Sequence, residues 1–363
     1  MNNRKIKIAI VTRSLAHGGL ERFSALLSKM LSDLGFEIHV VSILNEIEYA
    51  YQGELFNLGL QKNANDTILG RFKRFLTLKK YISQQNFDWI IDNRNRHANW
   101  SEWLISNYIF PPKKTIYTVH SYKTDYYFPA HHFVAQLIYK KSPYIVAVSK
   151  EIQDLVEKKY HYKNVITIYN PVDADRLLQD ATAINFDEKF ILAYGRIDDD
   201  IKNFSLLIES YADSILPQHN ILLYILGDGK DVAMLQNKVN VLHLSEKIIF
   251  KPKVSNPFPY VKSALFTTLT SNYEGFPMSI IESLAVGTPV ISVDCHSGPR
   301  EIIHHEQNGL LVENHNKIAL TEAMNRLIAD EVLYRSLKDN AAKSVAHLSL
   351  ATIARTWEKI LTA

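Results

Sequence analysis

Short apolar runs alternate with amphipathic stretches along almost the whole chain. In the first half, apolar and β-branched runs predict strands over residues 6–12, 37–43, 89–92, 115–119, 144–148 and 165–168. In the second half, similar runs predict strands over 190–194, 221–226, 248–250, 265–268 and 289–293. Intervening segments with helical periodicity include 20–34, 150–160 and 204–214. This alternation predicts an α/β fold with parallel, doubly wound sheets.

The alternation is interrupted at Asn170-Pro171-Val172-Asp173. Because the residue before a proline is excluded from helical geometry, this segment predicts a stiff, extended connection between two domains. We therefore predict an N-terminal Rossmann-like domain over residues 1–171 and a C-terminal one over 172–345. The last segment, 346–363, has apolar residues at helical spacing and is predicted to contain an amphipathic helix.

The composition is that of an ordinary globular protein. The 363 residues, 47% of them hydrophobic, are enough to build two separate cores. The single cysteine, Cys295, has no partner for an internal disulfide, and no apolar run reaches the roughly 18 residues of a membrane-spanning helix. The N-terminus also lacks the apolar core and cleavage site of a signal peptide. We therefore expect a cytoplasmic protein.

The positive charge is concentrated in the first half of the chain. Residues 1–173 contain 23 Lys and Arg against 15 Asp and Glu, a net charge of +8, whereas residues 174–363 have a net charge of −5. The segment from Arg71 to Lys80 interleaves cations with apolar residues, a pattern that suits the surface of an anionic membrane. A solvated helix face over an ordinary core explains the same pattern at least as well. No recognised nucleic-acid motif is present, so we expect no nucleic-acid partner.

Segment 271–291, SNYEGFPMSIIESLAVGTPVI, follows the predicted strand at 265–268 and has the pattern of polar loop, helix and strand. Glu274 lies in the predicted loop, the helix is predicted to begin near Met278, and Glu282 lies about one turn inside it. Loops after parallel strands meet at one edge of the sheet, so both carboxylates can face one crevice. A helix-surface Glu282 and a solvated Glu274 explain these residues equally well. The backbone N–H groups that would point into the crevice, to bind sugar hydroxyls or a phosphate, belong to Gly275, Phe276, Met278 and Ser279.

This segment resembles the signature of family 4 of the retaining nucleotide-sugar glycosyltransferases, with Glu-Gly-Phe-Pro at its centre and Gly-Thr-Pro-Val-Ile at its end. Further similarities, in the same order as in that family, are Gly18-Gly19-Leu20-Glu21-Arg22, Asn170-Pro171-Val172-Asp173 and the Gly-Arg-x5-Lys-Asn of residues 195–203. The resemblance covers nearly the whole chain. It implies the GT-B architecture, in which two Rossmann-like domains face across a cleft and the C-terminal helix, here within 346–363, crosses back to the first domain.

The resemblance also assigns roles to residues at matched positions. It implies that His120 contacts the donor sugar, that Glu274 orients it, and that Arg196 and Lys202 stabilise the leaving diphosphate as the catalytic cations. An Arg can grip phosphate oxygens with two hydrogen bonds and a Lys can act as a point charge, although pairing with Asp198-Asp199-Asp200 is the alternative. Implied donor-binding residues are Gly18, Gly19, Arg196, Lys202, Lys253, Val254, Glu274, Gly275, Phe276, Pro277, Met278, Ser279 and Glu282.

Acceptor contacts are expected in the first domain, at the sheet edge that also carries His120. The polar and aromatic stretches 93–97 and 122–127 follow predicted strands there, and Arg94, Tyr122 and Lys123 are the expected acceptor-binding residues. Asp198-Asp199-Asp200 looks like the metal-binding motif of a different glycosyltransferase architecture. Because it lies between two cations, we predict no metal site and no cofactor.

The implied function is transfer of a sugar from a nucleotide diphosphate-sugar, expected to be UDP-linked, with retention of configuration. The expected acceptor is a hydroxyl of a glycan or lipid-linked molecule in bacterial envelope polysaccharide or lipopolysaccharide synthesis, with peripheral contact to the inner face of the membrane. One alternative is a nucleotide-sugar epimerase on the same fold, for which no acid/base pair is found. The other is a non-catalytic sugar-nucleotide-binding subunit, against which the presence of Arg196, Lys202, Glu274 and Glu282 together argues.

Overall fold

The structure is a computed structural model that describes residues 4–62, 67–96, 100–182 and 186–363. The chain divides into two compact units. Unit 1 comprises Met1–Pro171 and Leu350–Ala363, and unit 2 comprises Val172–Ser349. The division therefore falls at the proline of the predicted connection, and the terminal segment of unit 1 begins at Leu350.

Unit 1 is built on a parallel sheet of seven strands in the order β3-β2-β1-β4-β5-β6-β7. The strands are β1 (Lys7–Thr12), β2 (Glu37–Ser42), β3 (Glu54–Asn57), β4 (Trp89–Asp92), β5 (Thr115–Val119), β6 (Ile145–Ala147) and β7 (Val165–Thr167). β1 is central and apolar, with Ile8 opposite Ile38 of β2 and Trp89 of β4. β3 was not predicted, because a short, half-exposed edge strand has no continuous apolar run.

The helices of unit 1 surround this sheet. They are α1 (Gly19–Asp33), α2 (Ile68–Gln85), α3 (Trp100–Leu104), α4 (His132–Tyr139) and α5 (Lys150–Tyr160), and a π-helical turn (Ile105–Ile109) follows α3. α2 and α4 both pack against that π-helical turn. α5 has the predicted bounds, because the Ser149 hydroxyl accepts a hydrogen bond from the Ile152 amide and caps its first turn.

Unit 2 is built on a parallel sheet of six strands in the order β10-β9-β8-β11-β12-β13. The strands are β8 (Phe190–Tyr194), β9 (Leu222–Leu226), β10 (Ile248–Lys251), β11 (Thr267–Leu269), β12 (Val290–Val293) and β13 (Gly309–Val312). Central strands are apolar on both faces, and Ile191, Leu223 and Ile291 are fully buried in one core. The strand order changes direction between β8 and β11, where open α/β sheets bind ligands.

The helices of unit 2 cover both faces of that sheet. They are α6 (Ala174–Asp180), α7 (Asp199–Lys202), α8 (Phe204–Asp213), α9 (Val232–Val241), α10 (Phe258–Ser263), α11 (Met278–Ala285), α12 (Pro299–Ile302), α13 (Lys317–Ala329) and α14 (Glu331–Ser344). α7 was not predicted. Asn203 separates it from α8 with a left-handed backbone, φ of 49°, which Asn tolerates better than most residues. Its side chain then caps α8 by accepting a hydrogen bond from the Leu206 amide.

The last helix, α15 (Leu350–Leu361), belongs to unit 1 and packs on α1. It buries one stripe, in which Trp357 is fully enclosed and lies 6.5 Å from the ring of Phe23. The Trp89 indole donates a hydrogen bond to the carbonyl of Leu361 at 2.8 Å. Because a large buried side chain contributes about 1.5–3 kcal/mol, this stripe is enough to hold the helix on unit 1. The prediction that the C-terminal helix returns to the first domain is confirmed.

Candidate functional site

The loops that follow β8 and β9 lie against each other through their backbones. The amide of Gly195 donates to the Leu226 carbonyl at 3.0 Å, and the amide of Ile197 donates to the Asp228 carbonyl at 2.9 Å. A Cβ atom on Gly227 would lie 1.9 Å from the carbonyl oxygen of Gly195, so only glycine fits there. This contact fixes the loop that carries Arg196 at the carboxyl end of the sheet.

An ion pair joins the loops after β8 and β11. Nζ of Lys202, the last residue of α7, lies 2.6 Å from Oε1 of Glu274, and the Ser271 hydroxyl donates to the same oxygen at 2.6 Å. The side chains of Lys202 and Glu274 are 23% and 13% exposed. Because both remain in contact with solvent, either charge can exchange its partner for a ligand without a large desolvation penalty. The structure therefore brings two predicted site residues, 72 positions apart, into direct contact.

Backbone contacts hold this ion pair in position. The Thr270 hydroxyl donates to the carbonyl of Lys202 at 2.9 Å. The amide of Asn272 donates to the Ile201 carbonyl at 2.8 Å, and its side-chain amide donates to the Asp200 carbonyl at 2.9 Å. The loop after β11 is thereby tied to α7, so Glu274 and Lys202 are positioned by the same set of hydrogen bonds.

Arg196 is exposed, and its guanidinium makes no hydrogen bond or ion pair with any residue that the structure describes. The neighbouring carboxylates have other partners. Lys230 lies 3.3 Å from Asp198 and 2.6 Å from Asp200. Asp199 accepts hydrogen bonds from the amide and the hydroxyl of Ser205. The alternative that these carboxylates neutralise Arg196 and Lys202 is therefore wrong.

Glu282 lies inside α11 and is buried. The Tyr194 hydroxyl, at the end of β8, donates to the Ser279 carbonyl at 3.0 Å and lies 3.4 Å from Oε2 of Glu282. α11 follows Pro277, and no side chain caps its first turn. The first amides of α11 are thus available to an anion near Glu282 and Tyr194. Tyr194 and Ser271 were missed at the sequence level, because a Tyr in an apolar strand and a Ser in a loop give no distinctive pattern.

The turn before α12 packs against the loop formed by Gly275, Phe276 and Pro277. The Ser297 hydroxyl donates to the carbonyl of Gly275 at 2.7 Å. Gly298 has a φ of 101°, and a Cβ atom there would lie 2.6 Å from Cδ of Pro277. Only glycine satisfies both requirements, so this contact fixes the geometry of the loop before α11.

Lys253 and Val254 follow β10, which pairs with β9. They therefore lie at the same carboxyl edge of the sheet as Arg196 and Glu274. The side chain of Lys253 is exposed and that of Val254 is half-buried. Their predicted contact with the nucleotide base stays a prediction.

In unit 1, Gly18 and Gly19 lie at the start of α1, as predicted. Gly18 precedes the helix in an extended conformation, and no side chain caps the helix by a hydrogen bond. A Cβ atom on Gly18 would lie 2.2 Å from Oε2 of Glu21. The Glu21 carboxylate therefore lies over the helix start, and an anionic ligand there requires this side chain to move.

His120 follows β5 and packs on α1, with its ring centre 4.7 Å from that of Phe23. Its Nε2 atom is buried and has no hydrogen-bond partner among the described residues. Burial and the positive charge of Arg96 lower the pKa of His120 to about 3. The imidazole is therefore neutral at physiological pH.

The predicted role of Arg94 in acceptor binding does not fit the structure, because its guanidinium binds carboxylates inside unit 1. It donates to both carboxylate oxygens of Asp92 at 2.8 Å and lies 3.3 Å from Glu102. Burial opposes the charge, but the carboxylates of Asp92 and Glu102 outweigh it and raise the pKa of Arg94. Burial also raises the pKa of Glu102. We therefore no longer assign Arg94 to acceptor binding.

The other two expected acceptor residues lie in one loop. Tyr122 is half-buried and Lys123 is exposed in the loop after β5, and their role stays a prediction. His97, at the end of the other polar stretch, lies outside the described residues.

Arg96, in the same stretch as Arg94, is almost completely buried and was not recognised as structural. It donates hydrogen bonds to the carbonyls of Asp92, Arg94 and Thr118. Because Asp92 ends β4 and Thr118 lies in β5, this guanidinium ties the two strand ends together. It is surrounded by aromatic rings, whose centres lie 4.9 to 5.7 Å from it and belong to Tyr117, Tyr127, Phe128 and Tyr139.

Comparison with known proteins agrees with this architecture over the whole chain. The model of Glycosyltransferase Family 4 matches residues 17–176, and that of Glycosyl transferases group 1 matches residues 175–344. The N-acetylgalactosamine-N,N'-diacetylbacillosaminyl-diphospho-undecaprenol 4-alpha-N-acetylgalactosaminyltransferase of Campylobacter jejuni is 30% identical over 98% of this chain and 99% of its own length. The amylovoran biosynthesis glycosyltransferase AmsD of Erwinia amylovora is 24% identical over 95% of this chain and 96% of its own. The Anabaena HepE structure in complex with UDP and glucose superposes with a TM-score of 0.79 at 18% identity, covering 99% of this chain and 100% of HepE.

Two parallel-sheet Rossmann-like units and these matches define the class of protein as a glycosyltransferase of the GT-B architecture. Within that class, the chain belongs to glycosyltransferase family 4.

Proposed function

We propose that this enzyme transfers a sugar from a nucleotide diphosphate-sugar, with UDP as the nucleotide, to a hydroxyl group of a glycan or lipid-linked acceptor. The transfer retains the anomeric configuration and needs no metal ion. The product belongs to the synthesis of a bacterial envelope polysaccharide or lipopolysaccharide. The observation that carries this proposal is the contact between Lys202 and Glu274, together with the exposed Arg196 six residues before Lys202 in unit 2.

The two cations suit the departing diphosphate. When the bond between sugar and phosphate breaks, negative charge develops on the leaving oxygen, and fixed positive charges stabilise that state more than the ground state. Arg196 has no carboxylate partner among the described residues, and Lys202 forms an ion pair with Glu274. The amides at the start of α11 add a third source of positive potential. These groups take the place of a metal ion in the proposed mechanism.

We propose that Glu274 contacts the sugar of the donor and that Glu282 contacts its ribose. Glu274 is held by Lys202 and Ser271, so its carboxylate is positioned to orient sugar hydroxyls and to support positive charge at the sugar ring. Buried Glu282, beside the Tyr194 hydroxyl, is proposed to accept hydrogen bonds from the ribose. Neither group is proposed as a covalent nucleophile.

Retention follows from the proton route that we propose. The acceptor hydroxyl gives its proton to the departing phosphate oxygen on the same face of the sugar, and its oxygen forms the new bond to the anomeric carbon as the bond to phosphate breaks. Nuclear magnetic resonance of the product tests this directly, because a β-linkage formed from an α-linked donor would overturn retention. Activity that disappears in a chelator and returns with Mg²⁺ would overturn metal independence.

Donor and acceptor classes rest on the named relatives. HepE was solved with UDP, and the Campylobacter jejuni relative is named for an undecaprenol diphosphate acceptor. AmsD is named for amylovoran biosynthesis. A thermal-shift panel of nucleotide sugars would identify the donor, because a ligand that binds only the folded state raises the melting temperature.

The central experiment compares Arg196→Ala and Lys202→Ala with the unchanged enzyme at saturating donor. Loss of one such stabilising group typically lowers kcat about 10²- to 10³-fold, and we expect losses of that size for both variants. Lys262→Ala is the matched control, because Lys262 is an exposed cation of unit 2 outside the site. Turnover within a few fold of the unchanged enzyme would contradict the leaving-group assignment, and donor binding without any transfer would favour a binding subunit.

A further inference from the structure

Helix α2 of unit 1 exposes an unusual number of large apolar side chains. Ile68 is 85% exposed and Leu69 is 81% exposed, and Phe72 and Leu76 continue the same side of the helix at three- and four-residue spacing. Only the opposite face, with Leu78, Tyr81 and Ile82, is buried. An ordinary solvated helix would place polar residues at the exposed apolar positions.

Three neighbouring elements of unit 1, namely α3, the π-helical turn and α4, expose apolar and aromatic side chains as well. Trp103 and Tyr108 form an edge-to-face pair with ring centres 5.4 Å apart, and both are exposed. Phe133, which is 77% exposed, and Leu137 lie one turn apart on α4. Because α2 and α4 both pack against the π-helical turn that contains Tyr108, the three groups lie on adjacent elements. We call these three groups the basic apolar surface.

Cations outnumber carboxylates in and around these elements. Segments 67–87, 103–124 and 126–150 contain eleven Lys and Arg and no Asp or Glu. Three of the carboxylates that border these segments have partners, since Asp88 accepts from the Lys7 amide, Glu102 pairs with Arg94 and Asp125 pairs with Lys159. Lys73, Lys79 and Lys80 of α2 are exposed beside the apolar stripe. Apolar side chains within a ring of cations suit an anionic lipid surface, which accepts both kinds of group.

A groove borders this surface at Tyr108. It has a volume of about 330 Å³ and lies between α2 and the segment from Tyr108 to Lys114. Ile82 and Ile109 supply apolar walls, and Lys79 and Lys114 supply ammonium groups. The apolar walls could therefore contact the end of a lipid chain, and the two ammonium groups could contact a lipid phosphate.

We propose that the basic apolar surface docks unit 1 on an anionic lipid bilayer. No helix in the described parts of the chain is long and apolar enough to cross a membrane, so the contact is with the bilayer surface. A second copy of the chain is a poorer occupant, because it would place two surfaces of the same positive charge against each other. The inference goes beyond sugar transfer, and vesicle binding by a protein without transferase activity would leave it standing.

Flotation with lipid vesicles tests the proposal. The full chain should bind vesicles of phosphatidylcholine with one quarter phosphatidylglycerol, and should bind pure phosphatidylcholine vesicles far less. Each Lys or Arg near an anionic membrane changes partitioning about fivefold, so Lys73→Gln, Lys79→Gln and Lys80→Gln together should lower the partition coefficient on the order of 100-fold. Raising the salt concentration from 0.05 to 0.5 M should have a similar effect, because it screens these charges.

Apolar variants separate docking from general charge attraction. Leu69→Ser with Phe72→Ser should weaken vesicle binding at least tenfold, while Ile318→Ser with Val332→Ser, equally exposed in unit 2, should leave it unchanged. All four positions are exposed, so the melting temperature should stay within about 2 °C of the unchanged protein. Equal binding by the two double variants, or no binding to anionic vesicles at all, would overturn the proposal. So would size-exclusion chromatography in which only the unit 1 variant abolishes a dimer.

Discussion

The two Rossmann-like units use charge at their strand ends in opposite ways. In unit 1, Arg94 lies between Asp92 and Glu102 away from solvent, and Arg96 is enclosed by rings and carbonyls. In unit 2, Lys202 and Glu274 pair where solvent still reaches both, and Arg196 is exposed. At the edge of the unit 1 sheet, the guanidinium groups of Arg94 and Arg96 bind residues of the same unit. At the edge of the unit 2 sheet, Arg196 and Lys202 remain accessible to a ligand.

This difference teaches how to tell a structural charge from a functional one. A buried ion pair is costly to break, because either partner left alone keeps its full desolvation penalty. A partly exposed pair loses little when one partner turns to a ligand, because water and the ligand replace it. The same kind of substitution should therefore damage stability in unit 1 and catalysis in unit 2.

The largest expected effect comes from Arg94→Met. It removes the cation that lies between the buried carboxylates of Asp92 and Glu102, which should lower the free energy of unfolding by about 3–5 kcal/mol. Lys202→Met should cost less than about 1 kcal/mol, because that pair is partly exposed. Urea denaturation of both variants measures the two values, with Lys262→Met as the control. Equal losses in the two units would break the comparison.

The next largest effect concerns Glu282, which tests whether unit 2 binds the donor. Glu282→Gln keeps the shape of the side chain but removes its charge, and a hydrogen bond to a charged group contributes about 1.5–3 kcal/mol. We therefore expect the KM for the donor to rise roughly 10- to 100-fold with kcat little changed. Glu246→Gln, at an exposed position of the same unit, is the control. An unchanged KM would remove Glu282 from the donor site.

A smaller effect concerns the buried imidazole of unit 1. The pKa of His120 is lowered to about 3 in the folded state, below the value of about 6.5 expected when unfolded. Below pH 6.5 the unfolded chain therefore binds a proton that the folded chain does not, so stability falls as the pH falls. Between pH 7.5 and 5, the unchanged protein should lose about 2 kcal/mol more than His120→Gln. Parallel losses in urea titrations of the two proteins would contradict the buried, neutral imidazole.

The smallest effect distinguishes the roles of two carboxylates after β8, those of Asp199 and Asp200. Asp199→Ala removes the acceptor for the amide and hydroxyl of Ser205 in the first turn of α8, and loss of such a cap costs about 1 kcal/mol. Asp200→Ala removes a solvent-exposed pair with Lys230, so stability should change by less than about 1 kcal/mol. Thermal melting compares the two, and a loss of donor binding only in Asp200→Ala would instead give that residue a functional role.

Much of the fold follows from local pattern. The bounds of β5, β8 and α5 agree with those predicted, because each has either a continuous apolar run or clear helical periodicity with a cap or a stop. The connection at Pro171 was visible because proline restricts its neighbour. β3 and α7 were missed, since an edge strand and a single helical turn carry too few residues for a period to emerge.

The candidate site was predictable only in part. Arg196, Lys202, Glu274 and Glu282 were chosen from their spacing and from resemblance to a family, and the structure adds the contact of Lys202 with Glu274. Tyr194 and Ser271 could not be chosen, because their role depends on what lies beside them. Arg94 was misassigned for the same reason, since a polar stretch after a strand has the same pattern whether its side chains turn outward or inward.

The sequence by itself determined the alternation of strands and helices, the connection between the two domains and the family, because these depend on the order of residue types along the chain. Only the tertiary structure decided which charges are structural. Exposure and pairing depend on residues that are distant in sequence, such as Glu274 and Lys202, 72 positions apart. The free energy of a charge is set by the water and partners around it, and neither is encoded in its nearest neighbours.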